Sequence, residues 1–280
     1  MYVSMPELPE VETIRLQLQK QVVGLKIIKA RVIFGKKINV SATSFVRAVT
    51  GVMIKGAGRR AKLLLIHLSN GRTMVIHLKM TGRVLLENAG TVPSKHAFVV
   101  FVLSGGKQLV WEDIRKFGFL KLVETKKLED LWKKEGYGPE PLDRSFTLSV
   151  LKSCLLRHAG KGVKPLLMEQ TCVAGLGNIY AAEALWQAGV HPNRPAGKVS
   201  DAEIKKLYDG IRKILPAAVR SRGSSADNYL DLFGKEGTFV SKLRVYDRNG
   251  EPCRRGDGGI IKKIRTGGRG TYFCPRCQKI

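Results

Sequence analysis

Val11, Ile14, Leu18 and Val22 recur at helical spacing through PEVETIRLQLQKQVVG, with acidic residues in the first turn and Gly24 at the end. That pattern predicts an opening helix. A different rhythm follows. IIKARVIF, RRAKLLLIHLSNG, RTMVIHLKMTGRVLLE, HAFVVFVLSGGKQLVWED and FGFLKLVE are short apolar or alternating runs punctuated by Gly and Asn. They read as strands joined by tight turns, with SNG and SGG as hairpin signals, and predict a β-sandwich or barrel of roughly 130 residues.

From about Leu128 the period lengthens again. LEDLWKKEG, SFTLSVLKSCLLRHAG, VKPLLMEQ, GLGNIYAAEALWQAGV and SDAEIKKLYDGIRKILPAAVRSRG read as helices, the last opened by Ser200 with Glu203 as a capping box. GSSADNYLDLFGKEGTF is polar and Gly-rich and reads as a mobile surface loop. From Ser241 the tail is a small basic unit in which IIKKIRTGGRGTYF is strand–turn–strand. The expected class is α+β, in three units: 5–135 a β-sandwich flanked by helices, 136–240 helical, and 241–280 a hairpin tail.

Charge narrows the partners. Lys and Arg number 49 against 23 Asp and Glu, a formal net charge of +26, and the pI is near 10.1. Such an excess makes a positive field suited to a polyanion, and nucleic acid is the commonest one in a cell. No polybasic amphipathic helix or lipidation signal supports a membrane surface instead. No apolar run approaches the roughly 18 residues that span a bilayer, and the N-terminus lacks the layout of a secretory signal. Of five cysteines, Cys253, Cys274 and Cys277 crowd the tail, while Cys154 and Cys172 stand alone. The expectation is a reduced, cytoplasmic protein with a C-terminal metal site rather than a disulfide scaffold.

CPRC supplies two thiolates at zinc-knuckle spacing. Its partner half, CRRGD, offers Cys253 but has Gly256 where a fourth cysteine belongs; Asp257, one residue on, or a water would complete the set. Arg269 sits at the hairpin tip, free either to reach a phosphate or groove or simply to be solvated. GLGNIYA places Gly and Asn178 before an apolar helix, a weak phosphate signal and more commonly a cap. HLKMTG sets His77, Lys79 and Met80 at a turn, where Met80 is either core filler or a wedge for a base stack. In DIRKFGF, Arg115 and Phe117 would face one side of an extended strand and stack on bases, or half-bury there. GRRAK clusters Arg59, Arg60 and Lys62 as a solvated face or a phosphate clamp. At the start, Pro6 and Glu7 suit a helix N-terminus. Were Met5 the true start and removed, Pro6 would carry a free secondary amine, a nucleophile for Schiff-base chemistry, with Glu7 as general acid or base.

PELPEVET, HLKMTG, DIRKFG, KPLLMEQ followed by GLGNIYAAEA, and GRGTYFCPRCQ occur in that order. The ordered set resembles the bacterial formamidopyrimidine-DNA glycosylase family from Met5 to Gln278. That resemblance implies an N-terminal β-sandwich, a helix–two-turn–helix domain and a C-terminal zinc finger. It implies base-excision repair: removal of 8-oxoguanine and formamidopyrimidines from duplex DNA, then strand cleavage by β,δ-elimination. Pro6 would be the nucleophile at C1′, Glu7 the acid at the deoxyribose ring oxygen, Glu10 a supporting carboxylate and Lys62 a phosphate-contacting lysine. Lys164 would lie near the lesion, with Asn178 and Arg269 pinching the kinked backbone. His77 falls among the DNA-contacting positions, while Met80, Arg115 and Phe117 would fill the gap left by the flipped base. Cys253, Asp257, Cys274 and Cys277 would hold one structural zinc. The stretch 223–237 would close over the everted purine.

The functional chain is expected to begin at Met5 and be trimmed to Pro6, because Met1–Ser4 would leave an amide where the amine is needed. A monomer acting on damaged duplex DNA is expected. The alternatives are a lesion binder with a blocked amine, an endonuclease VIII-like activity on oxidised pyrimidines, or a basic RNA-binding protein with a ribbon tail.

Overall fold

Glu7, not Pro6, caps the first helix in the computed structural model, which describes residues 5–225 and 228–280. Met1–Ser4, on which the chain-start expectation falls, lie outside the described residues. Helix α1 (Leu8–Gln21) opens with a reciprocal capping box: Glu7 accepts the N3 amide, and Glu10 Oε2 accepts the Glu7 amide at 2.8 Å. Its inward residues Val11, Ile14 and Leu18 are fully buried, as the spacing predicts.

The chain continues through β1 (Ile27–Val32), α2 (Ala42–Val49), β2 (Ile54–Arg60), β3 (Leu63–Leu68) and β4 (Arg72–His77). It then runs through β5 (Gly82–Asn88), β6 (Ala97–Leu103), β7 (Lys107–Asp113) and β8 (Phe119–Glu124). These form two antiparallel four-stranded sheets, ordered β1-β6-β7-β5 and β2-β3-β4-β8. The inner faces pack with α1 and α2 around Phe98, Trp111, Ile66 and Ile76, the sandwich read from the alternation. The hydropathy reading passes over α2. Its eight residues bury only Phe45 and Val49, one turn apart, and its start is marked by Ser41, which accepts the Ser44 amide.

The helical half comprises α3 (Leu128–Glu135), α4 (Leu148–Arg157), α5 (Val163–Met168), α6 (Asn178–Ala188) and α7 (Asp201–Arg220). Nearly every residue of α6 is buried, so it is the central rod against which α5 and α7 pack. The hairpin β9 (Lys262–Thr266) and β10 (Arg269–Phe273) follows. Tyr246, Ile261 and Tyr272 of the tail share one core with α6, so the hairpin is seated on the helices. Among the described residues no helix is long and apolar enough to cross a membrane.

Two expectations fail here. Cys154 on α4 and Cys172 after α5 are not lone thiols; they form a disulfide, with Cα atoms 5.7 Å apart. The free cysteines are then the three of the tail. The Gly-rich stretch 223–237 is not a loosely tethered loop either. Asp231 and Leu232 are fully buried, and Leu232 belongs to the sandwich core. Composition hid this, because one apolar anchor suffices to dock a polar segment. Ala226 and Asp227, within it, lie outside the described residues.

Candidate active site and metal centre

The first turn of α1 and the first turn of α6 meet head to head at the Glu7 carboxylate. Oε1 accepts the Ile179 amide at 2.8 Å and Oε2 the Tyr180 amide at 3.4 Å. The helix N-terminus that GLGNIYA suggested for phosphate is therefore occupied by a carboxylate of the other domain, the same anion preference met internally. Gly177 makes this approach possible. A Cβ there would lie 2.4 Å from the Glu7 carboxyl carbon and 2.6 Å from Lys62 Nζ.

Glu7 and Lys62 are both buried, and both are pushed toward their neutral forms. Burial raises the Glu7 carboxyl against the pull of Lys62, and burial lowers the Lys62 ammonium against the pull of Glu7. Such a pair keeps a proton available at low cost, which is what a general acid requires. Glu10 stands behind them: its carboxylate accepts from the Tyr180 hydroxyl at 2.6 Å, the Ser224 amide at 2.7 Å and the Glu7 amide. Burial, then the neighbouring Glu7, push it up to about 7. Pro6 is buried beside Glu7, and its nitrogen here lies in the Met5–Pro6 peptide.

Lys62 follows a left-handed turn at Ala61, φ 51°. Glu140, buried in the linker before α4, accepts the Ala61 amide at 2.6 Å, Arg59 at 2.6 Å and Arg60 at 2.9 Å. Arg59 also reaches Glu12 at 3.0 Å. The predicted phosphate clamp of Arg59, Arg60 and Lys62 is thus corrected: the two arginines tie the domains together, and only Lys62 faces the cleft.

That cleft, about 680 Å³, has Glu7, Lys62, His77, Met80, Asn178 and Arg269 on its walls. Glu10 and Lys164 are buried behind it. Lys164 Nζ donates to Asn178 Oδ1 at 2.5 Å and Thr271 Oγ1 at 2.9 Å, and Asn178 Nδ2 donates to the Gly270 carbonyl at 3.1 Å. Burial lowers Lys164 to about 8. Asn178 is thereby tied to the hairpin that carries the exposed Arg269. His77 is pushed down to about 3 by burial, then by Lys79 and Lys62, and its Nδ1 accepts the Lys79 amide at 3.0 Å. It is a neutral acceptor that fixes the turn presenting Met80.

Arg115 and Phe117 are exposed, away from the cleft walls, and lie on the β7–β8 turn rather than on an extended strand. They still stack, guanidinium carbon to ring centroid 4.9 Å. The reason is Asp113, fully buried, which accepts from the Thr81 hydroxyl at 2.5 Å, the Arg115 amide at 3.1 Å and the Gly118 amide at 2.6 Å. One carboxylate thus knots the turns carrying Met80, Arg115 and Phe117 together.

In the tail, one ligand atom from each of Cys253, Asp257, Cys274 and Cys277 lies within 4.8 Å of the others. Cys253 Sγ to Cys277 Sγ is 3.9 Å, and Cys274 Sγ to Asp257 Oδ2 is 3.7 Å. Zinc–sulfur bonds of about 2.3 Å in a tetrahedron need ligand separations of about 3.8 Å. The four fit one structural zinc. Gly259 closes the loop so tightly that a Cβ there would lie 2.5 Å from Cys274 Sγ, and its amide holds Asp257 Oδ1 at 2.9 Å.

Residues 5–120 match the formamidopyrimidine-DNA glycosylase N-terminal domain, 137–229 its H2TH domain, and 250–280 the zinc finger found in FPG and IleRS. A formamidopyrimidine-DNA glycosylase of Pelotomaculum thermopropionicum is 43% identical over 277 residues, covering 99% of this chain and 100% of the relative. One from Streptococcus thermophilus is 41% identical over 276 residues, covering 98% and 100%. The chain belongs to the formamidopyrimidine-DNA glycosylase family.

Solved members of that family share the whole architecture. A complex of Lactococcus lactis Fpg with DNA containing an abasic site superposes with a TM-score of 0.92 at 37% identity, covering 98% of this chain and 100% of that one. A mutant of the same protein bound to Fapy-dG DNA superposes equally well, with the same identity and coverage. The resemblance in the ordered motifs is therefore family membership, and the ribbon-tailed RNA-binding alternative falls. Sequence reasoning missed Tyr180, Glu140, Gly177 and Asp113. Tyr180, Gly177 and Asp113 lie inside quoted motifs and Glu140 in the linker between two of the helices, but the partner of each is distant in the chain or set by the turn geometry, so no local spacing signals it.

Proposed function

We propose that this member of a DNA-repair glycosylase family excises oxidised purines from duplex DNA and nicks the strand at the resulting abasic site. The observation that carries the reading is the Glu7 carboxyl, raised by burial, facing Lys62 on the wall of a basic cleft beside residue 6. With Pro6 at the chain terminus, its amine nitrogen would attack C1′, forming the N–C1′ bond as the C1′–base bond breaks, with the amine proton passing to the departing base. Glu7 would give its proton to the ring oxygen, opening the sugar to the iminium. Proton loss from C2′ then expels the 3′ phosphate, and a second elimination expels the 5′ phosphate. Glu10 would hold Glu7 in place and moderate its charge.

Around that centre, Lys62 would meet a phosphate, and Lys164, buried behind the cleft, would hold Asn178, which with Arg269 would pinch the backbone of a bent duplex. Met80, Arg115 and Phe117, knotted by Asp113, would enter the space vacated by the everted nucleotide. The stretch 223–237, whose Ser224 amide reaches Glu10, would meet the everted base. Zinc, when bound, supplies no chemistry to the reaction; its four ligands shape the hairpin that carries Arg269.

Borohydride trapping on abasic duplex tests the reading. Chain trimmed to Pro6 is expected to form a covalent adduct, and chain with residues ahead of Pro6 is not. An adduct from the extended chain, or none from the trimmed one, would overturn the assignment of Pro6.

A further inference from the structure

The stretch 223–237 is gauged against α1 at two points. At its start, Ser224 gives its amide to Glu10 Oε1 at 2.7 Å, and the Tyr229 hydroxyl reaches the Glu10 carbonyl at 3.3 Å. Seven residues further along the same helix, Gln17 holds its second half. Gln17 Nε2 donates to Asp231 Oδ2 at 3.0 Å, and Gln17 Oε1 accepts the Leu232 amide at 3.0 Å. The residue type is dictated: the carboxylate can only accept and the amide can only donate, so the clamp needs one donor and one acceptor on a single side chain.

Asp231 is fully buried, and its other oxygen is spent inside its own turn, accepting the Phe233 amide at 3.0 Å and the Lys235 amide at 2.9 Å. Arg222 lies 3.9 Å from Oδ2. Beyond these, β5 meets the segment through the Leu86 amide to the Leu232 carbonyl, 2.8 Å, and through Arg83 to the Asn228 carbonyl, 2.9 Å. Hence the far limb is a preformed, docked turn. A segment held at both limbs to the helix that carries Glu7 and Glu10 can present only a narrow set of positions to a base beside those carboxylates.

We propose that Gln17 is a positioning residue for base selectivity: through Asp231 and Leu232 it sets where residues 228–237 stand over an everted damaged base. This rests on the glycosylase reading above. Removing the base removes the need for the stretch, so nicking of an already abasic duplex does not depend on Gln17.

The test is a swap cycle in chain trimmed to Pro6. Gln17→Glu sets two carboxylates against each other; Asp231→Asn sets two amide donors against each other. The double variant restores a donor facing an acceptor between the two side chains, and the introduced asparagine keeps the oxygen that accepts from Phe233 and Lys235. Single-turnover rates are measured on an 8-oxoguanine:cytosine duplex and on an abasic duplex. Each single change is expected to slow 8-oxoguanine excision by about tenfold or more, the worth of one hydrogen bond to a buried charge. Abasic nicking should stay within about twofold, and the double variant should recover most of the excision rate. Equal losses on both duplexes, no loss on either, or no recovery in the double variant overturns the proposal. Wild-type chain that acts on neither duplex overturns the glycosylase reading together with this one. Wild-type activity with equal losses in the variants overturns only this one.

Discussion

Ile179 donates its backbone N–H to the Glu7 carboxylate at 2.8 Å, across 172 residues of sequence. The contact joins the two domains at the carboxyl group that would carry the catalytic proton. It also explains why Gly177, the N-cap of α6, has no side chain: the space a Cβ needs is filled by Glu7 and Lys62.

Gly177→Ala should therefore harm catalysis more than folding. Displacing Glu7 and Lys62 by an ångström is expected to slow abasic nicking about 100-fold. The overpacked site should cost about 1–3 kcal/mol of stability. Single-turnover nicking and urea unfolding of the same preparation check both halves.

Glu10 makes stability depend on pH. Its carboxyl ordinarily titrates near 4.5, and burial beside Glu7 pushes it up to about 7. The folded chain then holds a proton that the unfolded chain has released. The stability this contributes is complete below about 4.5 and is lost as pH rises to 7, in all about 3 kcal/mol. Unfolding free energies between pH 5 and 8 should fall for wild type relative to Glu10→Gln; a constant difference would refute a raised Glu10.

Zinc retention should depend on Asp257 and on Gly259. Loss of the ligand in Asp257→Ala is expected to weaken zinc beyond the roughly 10–100-fold that removal of a ligand's supporting partner costs. Gly259→Ala keeps all four ligands yet drives a methyl into Cys274 Sγ, so it too should lose metal. Elemental analysis after dialysis against a chelator reads both.

The Cys154–Cys172 bond closes a loop of 18 residues. Chain-entropy reasoning gives it about 3 kcal/mol. Unfolding free energies should drop by that amount in reductant and not move further in the Cys154→Ala, Cys172→Ala double variant.

The readable part of this fold was its local grammar. The periodicity of Val11, Ile14 and Leu18, the alternation in the sandwich strands and the Ser200–Glu203 box each depend on neighbours in sequence, and each was legible. The donor set with Asp257 in place of a cysteine could be seen because its chemistry is written in residue type. What escaped was pairing over distance. Nothing in GRRAK says that Glu140, 80 residues away from Arg60, will claim its guanidinium. Nothing in GSSADNYLDLFG says that Gln17 will receive it. Helix α2 escaped for the opposite reason, being too short to display a period.

Glu140 and Glu12, holding Arg59 and Arg60 from opposite sides of the domain junction, leave little play in the angle between sandwich and helices. A stiff joint of this kind cannot wrap itself around a straight rod. On the glycosylase reading, the curvature of a bound duplex would then have to come from the nucleic acid, and how readily the base steps flanking a damaged site unstack would help to set which sites are repaired first.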